Sequence, residues 1–265
     1  MRAYCLASGS KANMTYVETD DKKIVIDCGL SLVEAERKLH SINVDPSEID
    51  CILVTHEHND HIAGISKLSK KYDIPVYVYK NCNSIMASKL GLEVESLNLF
   101  GYEDFYLGRT HIYPLHLMHD SLHCVGYTIL SGLTKMSIVT DTGVIPKDAL
   151  DTITNSDFII LEANHNLQLL VSNRHYPTSV KKRIASDFGH LSNIQAASYI
   201  EKLCKGGTKH FILAHLSENN NSMEIAYKEI VSYLMCKNLI EGRDYILDFA
   251  LPEKLASITV AMRPS

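Results

Sequence analysis

The chain predicts an α/β fold, on three observations. Short apolar runs alternate with amphipathic stretches of helical period along its length. Hydrophobic residues make up 46% of it, enough for packed layers. Several apolar runs end in histidine or aspartate, groups that are costly at a buried strand end unless they bind something. In order, strands are expected at 2–7, 15–19 and 23–27, the last stopped by Cys28-Gly29. A helix at 32–41 precedes the strand 51–54, and helix 62–72 leads to strand 76–79 and helix 84–90. Strands 111–117, 125–130 and 137–140 follow in close succession, then helix 147–153 and the wholly apolar start of strand 158–162. Helix 179–187 is followed by helix 193–203, whose start is marked by Ser192 as N-cap. Strand 210–214, helix 222–236 and an edge strand at 255–260 complete the pattern. Alternation of this kind specifies α/β and no more.

Thr55-His56-Glu57-His58-Asn59-Asp60-His61 is the densest chemistry in the chain. Imidazole nitrogen and carboxylate oxygen are the ligands that zinc, manganese and iron accept. His56 and His58, two apart in an extended turn, can point the same way. Asp60 and His61 follow where the chain turns into helix 62–72. One loop can therefore serve two neighbouring ions, His56 and His58 on one, Asp60 and His61 on the other. With 13 histidines in 265 residues some clustering arises by chance, but abundance does not produce H-x-H-x-D-H spacing at a strand end.

T-H-x-H-x-D-H in this position resembles the signature of the metallo-β-lactamase fold hydrolases, and the resemblance runs from Met1 to about Leu216. It implies a metallo-β-lactamase-type αββα sandwich, two mixed β-sheets flanked by helices, as a single catalytic domain over residues 1–265. It also implies further ligands from later loops: a His, an Asp or Cys, and a His. His119 matches the first, with His116 and His123 as rivals on spacing. Asp141 in Thr140-Asp141-Thr142-Gly143 matches the residue that bridges two ions, and Asp there instead of Cys favours a dinuclear site. His215, after the apolar run 211–214, matches the last. Finer features resemble the YycJ/WalJ group of bacterial nucleases. These are Ser8-Gly9-Ser10-Lys11-Ala12-Asn13, Glu162-Ala163-Asn164-His165-Asn166, Tyr176-Pro177 before Arg183-Ile184, Gly189-His190-Leu191-Ser192-Asn193, and His215-Leu216-Ser217 with Asn219-Asn220. Ala12 departs from the Gly usual in that group. The 74 residues from Asp141 to His215 leave no room for the second domain that larger RNA-processing members insert.

The resemblance implies a phosphodiesterase acting on nucleic acid, an exonuclease with DNA placed ahead of RNA. Its cofactors would be two divalent ions, zinc or manganese foremost and iron as the alternative, with a hydroxide shared between them as nucleophile. Asp60 would serve catalysis as well as metal binding. His190, at a loop-to-helix junction, would protonate the leaving oxygen or hold the scissile phosphate. Asp27 would orient a ligand histidine, although a plain turn carboxylate before Gly29 reads equally well. Ser8, Ser10, Lys181, Arg183 and Asn219 are candidates for phosphate contact. The basic run 181–183 and Arg174-His175 lie just upstream of His190, where a solvated helix face is the competing reading.

Composition bounds the rest. A net charge of −5 excludes surface-wide attraction to nucleic acid. With no Trp and no aromatic–basic platform visible in the sequence, backbone recognition is expected rather than base-specific readout. Seven cysteines without C-x-x-C spacing predict buried, reduced thiols, Cys28 being the one nearest the site. No run approaches the ~18 apolar residues of a membrane span. Residues 1–5 lead straight into a strand without an export-signal pattern, so a cytoplasmic enzyme is expected. Two other functions share the motif: a hydrolase of small thioesters, lactones or cyclic phosphodiesters on the same fold, and a non-catalytic regulatory protein with a bound metal. A seven-residue ligand set argues against the latter, since structural sites are usually closed four-ligand cages.

Overall fold

The structure is a computed structural model that describes residues 1–250 and 256–259. Among the described residues, two seven-stranded sheets pack face to face with helices outside. The first sheet carries β1 (Arg2–Ala7), β2 (Met14–Glu18), β3 (Lys23–Ile26), β4 (Cys51–Leu53), β5 (Val76–Tyr79) and β6 (Leu97–Phe100), side by side in that order. Interspersed with them are α1 (Leu32–Ser41), α2 (Asn59–Ile62), α3 (Ile65–Tyr72) and α4 (Asn83–Leu90). The second sheet carries β7 (Phe105–Leu107), β8 (Thr110–Leu117), β9 (Cys124–Ser131), β10 (Thr134–Val139), β11 (Phe158–Glu162), β12 (His210–Ala214) and β13 (Ile246–Phe249). Its helices are α5 (Lys147–Ile153), α6 (Leu167–Ser172), α7 (Thr178–Ile184), α8 (Asn193–Lys205) and α9 (Met223–Cys236). β14 (Ala256–Thr259) returns to pair antiparallel with β1. It is the expected edge strand; residues 255 and 260 of that expectation lie outside the described residues.

Each sheet is antiparallel on one side and parallel on the other. β3, β4, β5 and β6 run parallel to one another, as do β10, β11, β12 and β13. Parallel strands are covered on both faces and so are apolar throughout. In β11, Phe158 and Ile160 face the other sheet while Ile159 and Leu161 pack under helices; in β12, Ile212 and Ala214 face in while Phe211 and Leu213 face out. This period of two splits the interior into a core between the sheets and a second core beneath α5, α8 and α9. The Tyr127 hydroxyl spans the gap between sheets, donating to the Val54 carbonyl at 2.5 Å.

Three expectations shift. The helix expected at 62–72 is two helices, because Gly64 starts a new one at Ile65. A Cβ at Gly64 would stand 2.0 Å from the Leu30 carbonyl oxygen, so this corner presses on the loop after β3. Asp60 and His61 therefore lie on α2, not on a turn before the helix. Strands β6, β7 and β13 and the short α6 escaped the pattern; β7 is three residues of mixed exposure, too short to show alternation. Cys236 is exposed and Cys204 half-buried, while the other five thiols are buried. No helix of the described residues is long and apolar enough to cross a membrane.

Candidate metal centre

The histidine-bearing loops converge at the C-terminal ends of the parallel strands, the usual site-forming end of such sheets. β4 delivers His56 and His58, and α2 delivers Asp60 and His61. β8 runs out to His119, β10 to Asp141, β11 to Glu162 and β12 to His215. Asp27, Asp141 and His215, each just past a strand, have φ of 58°, 57° and 57°. That left-handed turn is uncommon for side-chain-bearing residues. It is braced at His215, whose N–H donates to Ser8 Oγ at 2.7 Å and whose carbonyl accepts from Asn164 Nδ2 at 2.9 Å.

Among the described residues four overlapping groups of donor atoms lie within 4.8 Å of one another: His56, His58 and His119; Asp60, His61 and His215; His56, His61 and Asp141; and Asp141, Glu162, His190 and His215. The first two share no residue. Asp141 stands between them. Its Oδ2 is 3.5 Å from His61 Nε2, and its Oδ1 is 3.5 Å from His215 Nε2 and 3.9 Å from His119 Nε2. His119 is the histidine that joins His56 and His58, its ring 5.1 Å from each. The rivals face elsewhere: His116 packs on Tyr102 and His123 on Tyr79.

Four of these imidazoles have one nitrogen committed away from the centre. His56 Nδ1 lies 3.0 Å from Thr55 Oγ1, and His61 Nδ1 lies 2.7 Å from Asp27 Oδ2. His119 Nδ1 lies 3.2 Å from the Gly189 carbonyl, and His215 Nδ1 lies 2.8 Å from Glu162 Oε1. The second nitrogen of each is thereby aimed inward, the arrangement by which outer groups orient metal-binding histidines. Asp27 is itself fixed by Thr55, whose N–H and hydroxyl donate at 2.8 and 2.7 Å.

The electrostatics are those of a site short of positive charge. Burial raises the Asp141 carboxyl, but His215, His61, His56 and His119 outweigh it and hold the group well below the usual range. Burial would likewise strip the proton from His215, yet Asp141 and Glu162 push it up to about 9. His61 is raised well above its ordinary value against its burial, by Asp141 and Asp27. His56, where burial prevails, falls well below. Asp141 Oδ2 and His215 Nε2 are buried with no hydrogen-bond partner. Buried ligand-type atoms left without a partner in one cluster are what a divalent cation satisfies, so the residues fit metal binding.

Glu162 is the functional candidate that the sequence left without a role. Fully buried, its Oε1 accepts from both His190 Nδ1 and His215 Nδ1 at 2.8 Å, and its Oε2 from the N–H groups of Leu191 and Thr142 at 3.0 and 3.2 Å. Burial raises its carboxyl, but His190 and the hydrogen bonds bring it down to about 2. The signal was present, since a carboxylate closing an otherwise apolar strand is as costly as the histidines after β4. Asn13 was also missed: its Nδ2 donates to Asp60 Oδ2 at 3.1 Å and to the Gly9 carbonyl at 3.1 Å.

His190 stands beside this cluster, its ring 5.0 Å from His119 and 5.2 Å from His215. Of the phosphate-contact candidates, Ser8 accepts the His215 N–H and Lys181 donates to the Val171 carbonyl. Arg183 pairs with Asp120, and Asn219 donates to the Tyr176 hydroxyl. Ser10 is exposed. The cysteine nearest the centre is Cys124, not Cys28: its Sγ lies 3.9 Å from His56 Nδ1, whereas Cys28 Sγ faces the Leu30 carbonyl. Ala12 needs no glycine, because the positive φ in its loop falls on Gly9.

Comparison with known proteins agrees with this geometry. Residues 8–83 match the family described as the metallo-beta-lactamase superfamily. Exodeoxyribonuclease YycJ of Bacillus anthracis is 34% identical over 255 residues, spanning 94% of this chain and 96% of that protein. Exodeoxyribonuclease WalJ of Streptococcus pneumoniae is 33% identical over 261 residues, 96% of each. Among solved structures, the metallo-beta-lactamase fold protein YhfI from Bacillus subtilis superposes with a TM-score of 0.71 at 17% identity, covering 97% of this chain and 98% of its own. The short form of human tRNase Z gives 0.67 at 16% identity, over 98% and 100%. At these identities the structural likeness is one of fold.

Proposed function

Because this chain belongs to the metallo-β-lactamase superfamily as a hydrolase akin to YycJ and WalJ, we propose that it is a two-metal phosphodiesterase that shortens nucleic acid from an end. Residues 1–265 form one catalytic domain, and the names of the two relatives favour DNA as substrate. The observation that carries the reading is Asp141, a buried carboxylate within reach of both groups, 3.9 Å from His119 Nε2 and 3.5 Å from His61 Nε2 and His215 Nε2. His56, His58 and His119 would hold one ion, Asp60, His61 and His215 the other, with Asp141 shared. Divalent ions bound there supply Lewis-acid neutralisation of phosphate charge and bring the pKa of a water toward neutrality.

The chain's own groups divide the remaining work. Asp27 and Glu162 hold the tautomers of His61 and His215, keeping each Nε2 free to ligate. Asn13 fixes the Asp60 carboxylate. Glu162 also accepts a hydrogen bond from His190 Nδ1, which leaves His190 Nε2 to hand a proton from the imidazolium form to the leaving oxygen or to hold the scissile phosphate. His190→Ala is expected to lower kcat by roughly 10²–10⁴-fold with metal content near normal; loss of metal would make His190 a ligand instead.

The assay offers end-labelled DNA and RNA, a small phosphodiester and a thioester to the protein loaded with manganese or zinc. Asp60→Ala controls for contaminating nucleases. Progressive shortening of DNA is expected. Cleavage of the thioester alone would establish the small-molecule reading, and bound metal without any cleavage would establish the regulatory one.

A further inference from the structure

Phe188 is the one exposed phenylalanine among the described residues, 54% exposed, whereas Phe100, Phe158 and Phe211 are buried and Phe105 and Phe249 half-buried. It lies two residues before His190, at the end of the strap 166–189 that leaves β11 just after Glu162 and returns at His190.

The turn that presents it is closed by hydrogen bonds and tightly packed. Gly189 N–H donates to the Ser186 carbonyl and His190 N–H to the Ile184 carbonyl, both at 2.9 Å. The Gly189 carbonyl accepts from His119 Nδ1 at 3.2 Å. Behind the turn sits Gly143, two residues past Asp141, so close that a Cβ there would stand 2.0 Å from the Ser186 carbonyl oxygen and 2.5 Å from the carbonyl carbon of Asp187. A large ring is thus held in solvent by a turn braced on the loops of both His119 and Asp141.

The strap is also a basic part of an acidic protein. Between 166 and 189 it carries four Lys or Arg against one Asp, net +3 in a chain of net −5. Lys181 is spent on the Val171 carbonyl and Arg183 on Asp120. Arg174 and Lys182 are exposed. Isolated exposed apolar side chains are ordinary. An exposed ring two residues from His190, on a strap that also carries exposed Arg174 and Lys182, is instead the composition of a polynucleotide groove, with cations for the phosphates and a ring for a base.

Building on the nucleic-acid reading of the site, we propose that Phe188 stacks against the nucleobase adjoining the scissile phosphate while Arg174 and Lys182 track the flanking backbone. Stacking of this kind accepts any base, since every base has a π-face. It supplies an aromatic–basic element that is not visible in the sequence, because the exposure of the ring is set by the folded turn.

The test is steady-state kinetics of the metal-loaded full chain on two end-labelled oligonucleotides, one normal and one with an abasic residue at the nucleotide adjoining the first scissile bond. Phe188→Ala should raise KM on the normal substrate by roughly 5- to 100-fold, leave kcat near wild type, and change nothing on the abasic one. Phe188→Trp should retain the wild-type KM, and Phe188→Leu, apolar but without a π-face, should not. Equal KM on the normal substrate for wild type and Phe188→Ala, or an equal loss on both substrates, overturns the stacking role. A wild-type protein that cuts neither oligonucleotide overturns the nucleic-acid reading, and this inference with it.

Discussion

Asp27 and Glu162 play matching parts at the residue scale. Each is a buried carboxylate that fixes the far nitrogen of a histidine facing Asp141. Glu162 does more, because the same oxygen also holds His190. Glu162→Gln keeps the size but replaces an acceptor with an amide that must turn a donor toward one partner. It is expected to reduce metal affinity and kcat/KM by about 10–100-fold, read from bound metal and from turnover. The raised His215 and His61 have a consequence for metal loading. At neutral pH the metal-free protein keeps a proton on His215, whose value is about 9. Ligation needs neutral imidazole, so metal uptake should release at least one proton per chain, diminishing as pH rises through about 9. Calorimetric titration in two buffers of different ionisation enthalpy measures this; uptake without proton release contradicts it. The histidines and Asp141 were legible in the sequence because each interrupts an apolar run. Glu162 was less so, because a lone carboxylate carries no spacing motif.

At the scale of elements, the site depends on loops that press closely together. A Cβ on Gly29 would stand 1.7 Å from the Asp60 carbonyl oxygen, so the turn after β3 lies directly on α2. Gly29→Ala must push α2 away and is expected to cost about 1–3 kcal/mol and to weaken metal binding, checked by thermal unfolding and metal content. Ala12→Gly is the converse case. With the left-handed φ carried by Gly9, restoring glycine adds only unfolded-state freedom. It should destabilise by about 0.4–1 kcal/mol and leave kcat unchanged. Strands and helices with strong periodicity were readable to within a few residues. The break at Gly64 was not, since what splits that helix is contact with Leu30, thirty-odd residues earlier in the chain. Short edge elements such as β7 owe their form to their neighbours and leave little trace in their own residues.

Across the whole molecule, both sheets follow one plan, antiparallel pairs giving way to parallel strands, with the parallel ends contributing to the site. No repeat is visible in the sequence, because the two plans share burial pattern and turn geometry, as at Asp27 and Asp141, rather than residues. The face-to-face arrangement of the sheets followed from family resemblance and not from alternation, which is blind to which strands pair. Each group combines donors from residues 8–83 with one from a later loop, His119 in one and His215 in the other, so bound metal would tie the two halves together. Chelation is therefore expected to lower the melting temperature by roughly 5–10 °C for metal present at a hundredfold excess over its Kd, recovered on adding metal back. The most direct measurement is DNA end-hydrolysis against metal equivalents bound per chain, starting from metal-free protein. Activity that climbs to a plateau at two equivalents is expected; a plateau at one, or two ions bound without hydrolysis, would contradict a shared Asp141 at the heart of a two-metal phosphodiesterase.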